Sequence, residues 1–115
     1  MAENLLRKVD IDWLLTIYGA LLTDKQRDIA TLYFEEDLSL AEIAQQEGVS
    51  RQSVHDTLQR VEKQLRTLEE KLGMRSRLTR VQTCLEQALS TLDNNLSETK
   101  ISIEKAISLL TDEED

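Results

Sequence analysis

Val54, Leu58, Val61, Leu65, Leu68 and Leu72 follow one another at steps of 4, 3, 4, 3 and 4 residues, and Met74, Leu78, Val81, Leu85, Ala88 and Leu92 repeat the same steps. Apolar residues at this spacing form one stripe along an α-helix and scatter over both faces of a strand. The middle of the chain is therefore committed to two long helices with heptad seams. Gly73 separates them, with Lys71 in the last turn of the first helix and Ser76 placed to cap the second. So short a turn predicts an antiparallel hairpin of the two seams. Little elsewhere interrupts a helix, because the chain has no proline and three glycines.

The N-terminal part reads as shorter helices. The first runs from about Asn4 to Leu22, with a stripe of Leu6, Val9, Trp13 and Ile17 flanked by Leu14, Tyr18 and Leu21. Thr23 and Gln26 form a capping box for a second helix to about Glu35, which presents Ile29, Leu32 and Tyr33 inward. The acidic run Glu35–Asp37 sits where the helix dipole disfavours it, so it reads as solvation or as a surface for a basic partner. Ser39 and Glu42 open a third helix with an inner face of Ala41, Ile43 and Ala44, and Ser50 caps the next. Past the second seam, a loop at Asp93–Asn95 leads to a last helix from about Ser97 to Leu110, with Ile103, Ala106, Ile107 and Leu110 as its apolar face.

The expected fold class is all-α, with an N-terminal helix-turn-helix followed by a long helical hairpin and a C-terminal helix. The expected divisions are 1–72 for the helix-turn-helix domain, 73–110 for a helical extension and 111–115 for a disordered acidic tail.

The segment SLAEIAQQEGVSRQSVHDTLQR, residues 39–60, carries the functional argument. Two helices crossing at a steep angle need a left-handed residue in the turn, supplied by Gly48, and a small residue at the crossing, supplied by Ala44. Ile43, Val49, Val54 and Leu58 lock the angle. Such a unit can lay its second helix in a major groove. With Val54, Leu58 and Val61 buried, the opposite face carries Gln52, Asp56, Gln59 and Lys63, flanked by Ser53, Arg60, Arg51 and His55. Arg51 and Gln52 suit guanine and adenine edges, and Arg60 and Lys63 suit phosphates. The same unit also serves as a packing element for protein contact, so both ligands stay open. A second basic group, Lys71, Arg75, Arg77 and Arg80 with Arg66 nearby, offers either neutralisation of acidic surfaces or a phosphate- or partner-binding corner.

Charge argues against strong attraction to nucleic acid. Residues 23–63 hold nine acidic and five basic side chains, net −4, within a chain of −8. Phosphate attraction supplies most sequence-independent affinity, and this segment has little of it. Catalysis finds no footing either. His55 and Cys84 each stand alone, there is no glycine-rich phosphate loop, and the carboxylates are scattered over helix surfaces. Cys84 reads as a buried structural thiol. No catalytic residue, cofactor or metal is expected. No basic-then-apolar leader and no span-length apolar run are present, which leads to the expectation of a cytoplasmic protein. Two seams plus a further amphipathic helix exceed what one thin hairpin can cover, which predicts a homodimer.

From Leu21 to Leu65 the sequence LLTDKQRDIATLYFEEDLSLAEIAQQEGVSRQSVHDTLQRVEKQL closely resembles the YlxM family of small bacterial proteins, whose helix-turn-helix looks like region four of sigma factors. The resemblance implies a regulatory or accessory protein linked to the signal-recognition-particle pathway, with nucleic acid (DNA or structured RNA) or a pathway protein as partner. It places the base-reading positions of sigma region four at Arg51, Gln52, Ser53, Asp56 and Gln59. This chain departs from the sigma pattern in lacking a basic run at the start of that helix. The alternative that follows is a DNA-binding transcriptional regulator of the sigma-like class.

Overall fold

A computed structural model describes residues 2–93 and 95–111, with side chains from residue 7 onward. Among these residues there are six α-helices and no strand: α1 (Ala2–Tyr18), α2 (Asp24–Phe34), α3 (Leu40–Glu47), α4 (Arg51–Leu72), α5 (Met74–Thr91) and α6 (Leu96–Thr111). A 3₁₀ turn at Gly19–Leu21 ends the first helix earlier than its sequence pattern indicates. The chain divides between Leu72 and Gly73 into two compact units. The tail expected at 111–115 lies, beyond Thr111, outside the described residues.

In the first unit the local signals act as written. Thr23 Oγ1 accepts from the Gln26 N–H at 3.2 Å, and Gln26 Oε1 accepts in return from the Thr23 N–H at 3.2 Å. Ser39 and Glu42 make the same reciprocal pair at 3.1 and 3.0 Å. Each box satisfies donors that the start of a helix leaves open. The Ser39 N–H that Glu42 accepts also holds its carboxyl below the usual range.

Two adjoining clusters fill this unit. Ile29, Ile43, Ala44, Val54 and Leu58 close the angle between α2, α3 and α4. Ile11, Leu14, Leu15, Tyr18 and Leu22 pack on Ala30, Val61 and Leu65. The α4 seam from Val54 to Leu65 is therefore buried by α1, α2 and α3 within its own unit. The stripe expected on α1 is also corrected. Val9, Trp13 and Leu21 are exposed, whereas the flanking Leu14 and Tyr18 are buried together with Ile11 and Leu15, and Ile17 packs partly buried against them. The side chain of Leu6 lies outside the described residues. In α3, Ile43 and Ala44 face inward and Ala41 is exposed.

The acidic run after α2 proves partly structural. Asp37 takes the left-handed backbone conformation, φ 60°. An aspartate tolerates that conformation better than most side chains. Its carboxylate accepts from Lys8 Nζ at 2.8 Å, and that ammonium also lies 4.1 Å from the centre of the Tyr33 ring. Lys8 thereby holds the Asp37 carboxyl below its usual range.

In the second unit α5 and α6 form the hairpin. Gly73, at φ 61°, leads directly into α5 at Met74, so Ser76 sits inside the first turn and is not its cap. Asn95 Oδ1 accepts from the N–H groups of Ser97 and Glu98 and so starts α6 one residue earlier than expected. Val81, Cys84 and Ala106 make the core, with Leu109 against it. Thr99 is buried, and its hydroxyl meets that of Thr91 at 2.7 Å. The seam positions Leu85 and Leu92 are exposed, and so are Ile103, Ile107 and Leu110, which were expected to face inward.

Candidate nucleic-acid interface

The α3–α4 unit is built from residues 39 to 63. α3 ends at Gly48, whose backbone is left-handed at φ 66°. The N–H groups of Gly48 and Val49 both return to the Ala44 carbonyl, the latter at 3.1 Å. This closes the last turn of α3 and turns the chain sharply. Ser50 Oγ then accepts from the Ser53 N–H at 3.0 Å and caps the start of α4. Leu38 and Val49 pack beside Ile43 and Val54, so α3 and α4 are held at a fixed angle.

With Val54, Leu58 and Val61 buried, the expected outer face of α4 is where helical geometry puts it. Arg51, Gln52, Asp56, Gln59, Arg60 and Lys63 are exposed, and Ser53 is half-buried. Gln52 Nε2 donates to Asp56 Oδ1 at 3.0 Å, and His55 Nδ1 lies 3.6 Å from the same oxygen. Asp56 is therefore less a bare negative charge than an anchor that fixes the Gln52 amide one turn nearer the helix start.

Part of this neighbourhood has no local sequence signal. A cleft of about 470 Å³ opens beside α4, lined by Arg7, Lys8, Tyr33, His55, Gln59 and Glu62 among others. Its charges are mostly matched. Arg7 forms a two-pronged pair with Glu62, with Nε to Oε1 at 2.6 Å. Arg66 reaches Asp10 at 3.4 Å and Glu62 at 3.5 Å. The Arg7 fork, assisted by Arg66, keeps the Glu62 carboxyl below its usual range against the opposing effect of burial.

The second basic group is not one cluster of free cations. Arg66 is committed to Asp10 and Glu62. Arg75 and Arg77 are half-buried and engaged in contacts of their own. Lys71 and Arg80 are exposed. Among the described residues no three His, Cys, Asp or Glu side chains are grouped to hold a metal ion, and no helix is long and apolar enough to cross a membrane.

Residues 5–109 match a family model described as "UPF0122: Putative helix-turn-helix protein, YlxM / p13 like". A UPF0122 protein of Desulforamulus reducens is 47% identical over 83 residues, covering 72% of this chain and 71% of its own. One from Clostridium botulinum is 40% identical over 90 residues, covering 78% and 83%. A third, from Streptococcus agalactiae, is 54% identical over 63 residues, covering 55% and 57%.

Proposed function

This chain belongs to the UPF0122 helix-turn-helix family, and from that membership we propose that it is a non-catalytic accessory protein that binds its partner through α3 and α4. The observation that carries the reading is the outer face of α4, where Arg51, Gln52, Gln59 and Lys63 stand exposed on a helix whose entry is fixed by Gly48 and Ser50. The resemblance to YlxM proteins supports a role in the signal-recognition-particle pathway of the bacterial cytoplasm. Charge favours the partner class. With net −4 over residues 23–63, random duplex DNA gains few phosphate contacts. A basic pathway protein can meet the same surface without depending on them, and a structured RNA can add contacts through unstacked bases and 2′-hydroxyls.

A second reading, a sigma-like transcriptional regulator, draws on the Gln52–Asp56 bond. An amide already held in place loses less freedom on meeting an adenine edge. Anisotropy titrations separate the two. The accessory reading expects weak duplex binding at physiological salt and binding of signal-recognition-particle RNA or its targeting GTPase. Capture of the same components from lysate should follow, with nuclease treatment telling an RNA bridge from a protein contact. Tight, sequence-specific duplex binding that collapses in Arg51→Ala overturns it in favour of the regulator.

A further inference from the structure

The α5–α6 hairpin leaves one broad apolar face uncovered. On α5, Leu85, Leu89 and Leu92 lie on one flank of the Val81–Cys84–Ala88 line that meets α6, and Leu89 is 74% exposed. On α6, Leu96, Ile103, Ile107 and Leu110 lie on one flank of the Thr99–Ala106 line, and Leu96 is 74% exposed. In both helices the exposed stripe follows the buried one in the same rotational sense, at 100° per residue. Because the helices run antiparallel, equal senses turn both stripes to the same side of the hairpin. The seven side chains expose on the order of 700 Å² per protomer, above the largest patch of an ordinary monomer and near the ~800 Å² each partner gives to a stable interface.

We propose that this face is the dimer interface, where the hairpins of two copies join as a four-helix bundle. Charge placement selects a second copy as the occupant. The Thr91–Thr99 bond sets the register of the hairpin, which puts Lys100 level with residue 90, between Glu86 and Asp93. All three are exposed and border the apolar face, Lys100 on α6, Glu86 on α5 and Asp93 in the turn that follows it. A two-fold axis parallel to the helices lays α5 of each copy antiparallel against α6 of the other and preserves those levels. Lys100 of one copy then falls between Glu86 and Asp93 of its partner, twice per dimer, and it also offsets Glu104, one turn on along α6 and level with the partner's Glu86. Each helix has two antiparallel neighbours, the standard packing of such bundles. The interface is isologous and closes on itself.

Light scattering and sedimentation of the full chain at about 100 µM test this. The expected mass is twice 13.2 kDa. Leu89→Lys should yield a helical monomer. Charge reversal gives a test that leaves the core untouched, since it changes exposed groups alone. Lys100→Glu and the double variant Glu86→Lys/Asp93→Lys should each dimerise at least about tenfold more weakly, and an equimolar mixture should recover the dimer as a heterodimer. A wild-type monomer at that concentration overturns the proposal. A dimer indifferent to Leu89→Lys and to both reversals also overturns it, because another surface then holds the copies together. A monomer whose hairpin face is protected by a different protein assigns the face to that partner and likewise overturns it.

Discussion

Gly48 and Asp37 solve one local problem with different side chains. Both take the left-handed backbone at the end of a short helix, at φ 66° and 60°. Around Gly48 nothing lies within 4 Å of where a Cβ would stand. Gly48→Ala therefore meets no clash, and its expected loss in urea melts is the conformational part alone, about 1 kcal/mol. Gly48→Asn should lose less, since asparagine visits this region more readily. Equal losses for the two would place the strain elsewhere. The second residue-scale expectation concerns Glu62. Its carboxyl is held below the usual range by Arg7 first and is only partly buried. A carboxylate with a depressed folded value contributes stability that is complete above its unfolded value, about 4.3 for glutamate, and is lost as pH falls through the folded one. Acid should thus loosen α1 from α4 below about pH 4.3, and Glu62→Gln should flatten that part of the profile. Fluorescence of Trp13, the single tryptophan, placed on α1, reads the change.

At the scale of the element, the α3–α4 crossing depends on a small side chain. Ala44 sits in the cluster with Ile29, Ile43, Val54 and Leu58. Ala44→Leu should overfill that crossing and cost about 1–3 kcal/mol in a thermal or urea melt. An unchanged melt would mean that the helices do not meet there. The helices and their caps were legible because their causes are local, such as Thr23 with Gln26 or Ser39 with Glu42 three residues on. The outer face of α4 was legible for a related reason, since Val54, Leu58 and Val61 offer only one inward direction. What could not be read is which of two apolar faces a partner takes. α1 carries Val9 and Trp13 on one side and Ile11, Leu14 and Tyr18 on the other, both at helical spacing, and only the position of α4 decides. The apolar sector of α5 is likewise wider than one neighbouring helix covers, so α6 takes Val81, Cys84 and Ala88 and leaves Leu85 and Leu92 uncovered within the hairpin. The salt links framing the cleft were beyond local reading, with Arg7 and Glu62 separated by 55 positions and Lys8 and Asp37 by 29.

For the whole molecule, a net charge of −8 leaves few cations to contact phosphates, and their number sets how any nucleic-acid complex responds to salt. Arg51, Arg60 and Lys63 are exposed cations on and beside the outer face of α4, and Arg66, also exposed, is held by Asp10 and Glu62. Release of about three counterions gives a slope of log K against log salt no steeper than about −3, and a titration from low to physiological salt measures it. A slope near −6 would require further cations to contact the ligand. The 22 residues of α4 bear on the same titration from another side. This helix is about 33 Å long, and it contributes Val54 and Leu58 to one cluster and Val61 and Leu65 to the next. It behaves as a torsion bar clamped in two vices. A ligand that rotates the end bearing Gln52 must also strain the grip on Leu65, more than three turns away. Recognition would then leave a mechanical signature on α1, visible as altered amide hydrogen exchange in a helix with no residue on the outer face of α4.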